Sequence, residues 1–178
     1  MRLITQDLIA HLSGTRSEDW QRCNALVDTA NPCSRKQFEP GHFTASAFVL
    51  HPTEPSILLI KHRKLGLWLQ PGGHIQPEDT SAEHAARREL EEETGLQAYR
   101  LLQVSPFDLD VHQIPARPDE PEHAHFDLRF AYQAQSTALT AQEEEVSDVA
   151  WTPIAALGEI NTDDSVRESA ALLTQLFS

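Results

Sequence analysis

The 178-residue sequence predicts an α/β (α+β) fold, with helices layered on a sheet and a helical extension ahead of it. Three observations carry that prediction. The length is that of roughly one domain, enough to bury a single core without staples. An apolar fraction of 40% with only 7 Gly and 11 Pro is that of a globular chain, not a disordered or fibrous one. The hydrophobic period changes from helical to alternating near residue 43, after which short apolar runs interleave with two further helical patterns.

Taken in order, residues 1–35 read as helical. Leu3, Ile4, Leu8, Ile9 and Leu12 fall at helical spacing, and Ser17-Glu18-Asp19 opens a second helix through Trp20, Leu26 and Val27. Residues 43–50 and 57–60 are β-type runs separated by His51-Pro52-Thr53-Glu54-Pro55, which predicts two adjacent strands joined by a turn. Further strands are expected over 100–104, 107–111, 126–134 and 149–152, and helices over 82–93 and 165–177. Residues 113–122, with Pro115, Pro118 and Pro121, and the acidic stretch 135–148 are expected to be loops.

Charge narrows the function. Against 27 Asp+Glu stand 14 Lys+Arg, a formal net charge of −13. That balance argues against a general binder of DNA or RNA backbones, which needs a basic face. An acidic protein that handles an anionic ligand needs cations to hold it, which points to divalent metals. No run approaches the ~18 apolar residues of a membrane span, and Asp7 and His11 interrupt any apolar signal segment, so a cytoplasmic location is expected. Cys23 and Cys33 are expected to be free thiols.

The segment that carries chemistry runs from Pro71 to Leu96. Pro71-Gly72-Gly73 predicts a loop whose backbone can approach a ligand closely. Thr80 and Glu83 have capping-box spacing, so a helix should begin near Ser81, and Gly95 is placed to end it. At about 100° per residue, Glu89, Glu92 and Glu93 share an arc of roughly 100°, with Ala86 and Leu90 facing inward. Three carboxylates near a helix C-terminus oppose the macrodipole and repel one another. Arg88 reaches Glu92 at i,i+4 but cannot neutralise all three. Carboxylates beside a carbonyl-rich loop suit Mg²⁺ or Mn²⁺; a solvated acidic helix is the alternative.

With the loop included, the segment resembles the Nudix box, G-x5-E-x7-R-E-U-x-E-E-x-G-U with U aliphatic. Gly73 opens the match, and Arg88-Glu89-Leu90-Glu91-Glu92-Glu93-Thr94-Gly95-Leu96 fills its last nine positions. Asp79 stands where the first Glu is expected, with eight residues rather than seven before Arg88. The resemblance implies an α/β/α sandwich on a mixed sheet, and the helical pattern ahead of it is expected to form an extension, residues 1–38, packed on a single domain of residues 39–178. It implies hydrolysis of a nucleoside diphosphate linked to another moiety, by water attack on phosphorus with two or more Mg²⁺ or Mn²⁺ ions. Glu92 and Glu93 match the principal metal ligands, Glu89 a further ligand or base, Arg88 the residue that orients the glutamates, and Gly73 a backbone metal contact. Glu143, Glu144 and Glu145 are candidates for a base on a late loop, with Glu145 taken forward.

Other signals stand beside the box. His123, His125, Asp127 and Arg129 alternate with apolar residues, so one strand face is polar. With His112 near, that strip reads as a second metal site, a phosphate clamp through Arg129, or a leaving-group acid; the alternative is a solvent-facing strand side. Arg63 and Lys64, in the densest basic cluster, read as phosphate contacts or as a solvated turn, and with His74, His125 and Arg129 they make up the candidate substrate contacts. Trp68 reads as a base-stacking ring or as core. The region His112-Gln113-Ile114 lacks the Tyr of diadenosine-polyphosphate members, so the small nucleotide substrate is not specified. Two other readings are a non-catalytic nucleotide sensor and an isoprenoid-diphosphate isomerase, which would need a cysteine in the pocket. A homodimer is compatible with the sequence.

Overall fold

A computed structural model describes residues 4–10, 12, 17–141 and 146–177. In chain order the elements are α1 (Gln6–Ile9), α2 (Ser17–Val27), β1 (His42–Leu50), β2 (Ser56–His62), β3 (Trp68–Leu69), β4 (Gly72–His74), α3 (Ala82–Thr94), β5 (Tyr99–Leu101), β6 (Asp108–Ile114), β7 (His123–Ala134), β8 (Val146–Pro153) and α4 (Asp164–Phe177).

Strand β1 organises the sheet because it is buried on both faces along nearly its whole length, as a central strand must be. It runs parallel to β7, in register from His42↔His125 to Leu50↔Gln133. Its other edge is shared: β4 pairs antiparallel at Thr44–Ser46, and β2 meets it only at Leu50↔Ile57. The expected β1–β2 hairpin therefore closes at its turn and then splays, and β2 finds its main partner in β8. Strands β6 and β5 divide the outer edge of β7. The result is the mixed sheet that the motif implied.

Alternation along β1 and β7 separates two cores. Phe43, Ala45, Ala47 and Val49 join Phe126, Leu128 and Phe130 against Ala82, Ala85, Ala86 and Leu90 of α3 and Cys23, Leu26 and Val27 of α2. On the opposite face Phe48, Ile57, Leu59 and Ala131 pack on Val166, Ala170 and Leu173 of α4. Full burial of such aliphatic and aromatic side chains contributes about 1.5–3 kcal/mol each. The second face is not apolar throughout. Toward the start of β1, Ser46, Thr44 and His42 lie in register with Arg129, Asp127 and His125, and Asp108, Asp110 and His112 of β6 continue the strip.

Several boundaries differ from expectation for a common reason: long-range pairing. Strand β6 extends to Ile114 because it pairs with His123 at the start of β7, so the loop is 115–122 and not 113–122. Strand β8 begins at Val146, inside the predicted loop 135–148. Strands β3 and β4 are too short to show any period. Helix α3 is capped by Ser81, not Thr80: Ser81 is extended and its hydroxyl accepts from the His84 N–H at 2.9 Å. Gly95 ends the helix at φ 66°, the left-handed conformation that glycine adopts freely. Cys23 and Cys33 are free thiols. No helix among the described residues is long and apolar enough to cross a membrane.

Candidate active site

The two glycines before α3 do different work. A Cβ on Gly72 would lie 2.5 Å from Ser46 Cβ and 2.7 Å from its Cα, so only glycine lets β4 lie against β1. A Cβ on Gly73 would lie 2.6 Å from a carboxylate oxygen of Glu89, so here glycine makes room for a side chain of the helix. The Gly72 N–H donates to Glu93 Oε2 at 3.0 Å, tying the last box glutamate to the loop.

Arg88 links the loop and helix. Its Nε and one terminal nitrogen donate to the two oxygens of Asp79 at 3.1 and 3.0 Å, and the same nitrogen donates to the His74 carbonyl at 3.1 Å. The other nitrogen donates to Glu89 at 2.9 Å and Glu92 at 3.1 Å. Burial works against the charge on Arg88, but its bonds to Asp79 and Glu89 outweigh that and hold its pKa above the usual arginine range. Burial likewise opposes the charge on Asp79, and the bonds from Arg88 and the Gln76 N–H bring its pKa below the usual carboxylate value. Asp79 thus latches the loop to Arg88 rather than joining the glutamates.

The structure brings together Gly73, Arg88, Glu89, Glu92 and Glu93. Glu92 remains 58% exposed while Glu89 is 16% exposed, so the acidic face spans the boundary between protein and solvent. One guanidinium is shared by Asp79, Glu89 and Glu92, and Glu93 takes the Gly72 N–H, so four carboxylates stand beside the glycine loop with a single cation among them. That donor set fits a hard divalent cation such as Mg²⁺ or Mn²⁺.

His74 and His125 lie on the polar strip together with His42, which the sequence reading left out. The apolar run was read from Phe43; extending its alternation back by one residue places His42 in phase with Thr44 and Ser46. Burial, then neighbouring charged groups, pushes His74 down to about 4 and His125 to about 2, so both rings are neutral near pH 7. Burial lowers His42 as well. His112 moves the other way: burial opposes its charge, but its bond to Asp110, 2.8 Å long, raises its pKa.

Arg129 is placed differently from its reading as a phosphate clamp. Its side chain is 2% exposed and its guanidinium faces Asp108, Asp110 and Asp127 at 3.3–3.4 Å. It also donates to Ser165 Oγ at 2.5 Å and to the hydroxyl of Ser169. Three aspartates and the serines of α4 thus surround the guanidinium, which lies inside the protein and not at the surface that a phosphate clamp offers. Arg63 and Lys64 are exposed in the turn after β2, where Arg63 donates to the Val146 carbonyl at 3.2 Å. Trp68 packs against the α4-side core. Glu143, Glu144 and Glu145 lie outside the described residues. Burial pushes the Cys23 thiol up to about 12, with Asp19 adding to it, and the Cys33 thiol to about 11. Both are poor nucleophiles at neutral pH.

A glycine loop, a latched arginine and an acidic helix face meet at one place on a mixed α/β/α sandwich. The NUDIX domain family model matches residues 41–175, and the chain belongs to that family. Over 85 residues it is 40% identical to a Bacillus subtilis protein named as an 8-oxo-dGTP diphosphatase, covering 47% of this chain and 52% of that one. Over 88 residues it is 35% identical to a Mycobacterium tuberculosis protein named as mutator protein MutT4, covering 49% of this chain and 33% of that one. The matches thus span about half, or less, of those relatives. A NUDIX-family hydrolase from Clostridium perfringens shares the fold, with TM-score 0.61, 24% identity, and coverage of 76% of this chain and 97% of that one. So does the NUDIX domain of Shewanella oneidensis NrtR, solved with ADP ribose, with TM-score 0.59, 20% identity, and coverage of 88% and 98%.

Proposed function

We propose that the chain is a cytoplasmic, metal-dependent pyrophosphohydrolase. Its substrate is a nucleoside diphosphate linked to another moiety, of the class that includes nucleoside triphosphates, nucleotide sugars and ADP-ribose-like compounds. The observation that carries this reading is that Glu89 and Glu93 meet the Gly72–Gly73 backbone while Arg88 ties Glu89 to Glu92 on the same helix face. The names of the Bacillus relative and of the ADP-ribose-bound Shewanella domain support the substrate class.

In this reading Glu89, Glu92, Glu93 and the Gly73 carbonyl would hold Mg²⁺ or Mn²⁺. When bound, two or more such ions supply charge neutralisation for the diphosphate and acidify water for attack on phosphorus. The chain's own residues do the positioning. Arg88 fixes the orientation of Glu89 and Glu92, Asp79 holds Arg88, and the Gly72 N–H restrains Glu93. Glu89 or Glu145 accepts the proton of the attacking water. Arg63, Lys64, His74 and His125 are the side chains assigned to substrate contact. We read residues 1–38 as an N-terminal extension of the domain that spans 39–178.

The test is release of nucleoside monophosphate or phosphate from a panel of 8-oxo-dGTP, ADP-ribose and nucleotide sugars, with Mg²⁺, Mn²⁺ or EDTA. Turnover is expected with either metal, is abolished by EDTA, and falls by about 10³-fold, several kcal/mol of transition-state stabilisation, in Glu93→Gln. Undiminished turnover in EDTA or in that variant overturns the reading. Tight nucleotide binding without turnover by the wild-type protein would favour a sensor.

A further inference from the structure

Five imidazoles gather at the start of β1. His42, His74, His112, His123 and His125 each lie within 4.7–5.5 Å, centroid to centroid, of another ring of the group. They come from β1, β4, β6 and β7, which pair in a register that turns all of them to the same face. Three of them, His42, His74 and His125, present ligand atoms that all lie within 4.8 Å of one another.

The state of these rings can be read from their partners. His42 is fully buried and its Nδ1 lies 3.1 Å from the Gln37 carbonyl. A carbonyl only accepts, so the proton of that bond sits on Nδ1 and the His42 Nε2 carries a lone pair. That Nε2 is buried and has no hydrogen-bond partner, and the same holds for Nε2 of His125. Buried polar atoms are almost always satisfied, so two orphaned imidazole nitrogens side by side call for an absent group. The group that meets His42 Nε2 must take up its lone pair, as a metal ion or a hydrogen-bond donor does.

The geometry points to a transition-metal site formed by His42, His74 and His125, taking Zn²⁺ and distinct from the glutamate site. Neutral imidazole nitrogens suit Zn²⁺ and neighbouring late first-row cations, whereas clustered carboxylates suit Mg²⁺ or Mn²⁺, so the two donor sets sort metals by hardness. Tetrahedral Zn–N bonds of about 2.0–2.1 Å separate ligand atoms by about 3.4 Å, which small ring shifts within 4.8 Å achieve. The Gln37 carbonyl on Nδ1 of His42 is the outer-shell contact that fixes a metal-binding imidazole. Three protein ligands leave a fourth position for water or substrate. An ion there ties β4 to β1 and β7, and β4 carries the His74 carbonyl that Arg88 grips.

The test uses the full, tag-free chain, stripped with chelator and titrated with Zn²⁺ in excess Mg²⁺. One equivalent of Zn²⁺ is expected to bind, with imidazole scattering at the zinc absorption edge, and Co²⁺ in its place is expected to give visible bands of a low-coordinate nitrogen site. His74→Gln and His125→Gln each weaken Zn²⁺ binding at least tenfold, while the double variant Glu92→Gln/Glu93→Gln binds unchanged. Absence of Zn²⁺ binding, an oxygen-only edge spectrum, or loss in the glutamate variant with retention in the histidine variants overturns the site. The edge and Co²⁺ spectra are read on the wild-type chain, so a histidine variant that fails to fold does not blunt the test.

Discussion

Two arginines in this molecule each collect three carboxylates, and the contrast between them separates scaffold from site. Arg88 binds Asp79, Glu89 and Glu92 with its side chain 17% exposed, and one of its partners, Glu92, is 58% exposed. Arg129 binds Asp108, Asp110 and Asp127 with every one of these side chains at most 9% exposed. Around Arg129 the aspartates have further partners: Thr44, Ser46 and Gln70 donate to Asp127, Ser165 and His112 bond Asp110, and Ser169 donates to Asp108. Around Arg88 the acidic face opens to solvent instead. The same kind of ion-pair cluster therefore rigidifies where hydroxyl donors and a helix seal it, and leaves carboxylate oxygen open to solvent where they do not.

The largest effect that would sharpen the contrast is Arg129→Met. It leaves three buried aspartates without their cation and should cost about 3–5 kcal/mol in denaturant unfolding. The residual folded protein should keep its KM, because Arg129 faces α4 and not a ligand. A raised KM with little loss of stability would break the comparison and return Arg129 to the substrate site.

Arg88→Ala should invert that pattern. Asp79 is released and two glutamates lose their orientation, so kcat should fall by about 10–100-fold, the size expected when a metal ligand loses its outer-shell partner. Its effect on unfolding should be smaller than that of Arg129→Met, since only Asp79 among its partners is as buried as the aspartates around Arg129, while Glu89 is 16% and Glu92 58% exposed. Steady-state kinetics and unfolding on the same preparation decide whether the two arginines divide their roles in this way.

How much of this contrast was legible depends on which contacts were local. Arg88 and its glutamates sit within one helix, so spacing alone placed them on one face and predicted the Arg88–Glu92 contact. The Arg129 cluster depends on α4 arriving from residues 164–177, which alternation along β7 does not encode. Strand period gave the side of the sheet but not whether a second layer covered it, and so Arg129 read as available. The same gap explains His42: its neighbours His74 and His125 arrive through pairings with β4 and β7. Gly73 was legible as a close approach, but the object approaching it, Glu89, belongs to the helix and not to a ligand.

Acid distinguishes the clusters next. Burial opposes the charge on Asp110, but its bond with His112 and the Arg129 charge hold its pKa well below the usual carboxylate value. A depressed folded pKa means that its contribution is fully present above the unfolded value of about 3.9 and disappears as pH falls through the folded one. Wild-type protein should therefore lose stability progressively below about pH 4. Asp110→Asn should be less stable at neutral pH but show a shallower acid limb in pH-dependent unfolding. An unchanged acid limb would mean that the Arg129 cluster does not set the acid stability.

The smallest effect tests the join between loop and acidic helix. Ser81 accepts from the His84 N–H at 2.9 Å, so Ser81→Ala removes the N-cap of α3 and should cost about 1 kcal/mol in thermal or denaturant unfolding. Thr80→Ala, at the position the capping-box pattern favoured, should stay within about 0.5 kcal/mol of wild type. Because the cap lies only two residues from Asp79, Ser81→Ala also asks whether the arginine latch depends on an ordered first turn. If it does, kcat falls with stability, and the fall is smaller than in Arg88→Ala; if Asp79 holds Arg88 unaided, kcat stays at the wild-type value while only the unfolding midpoint moves.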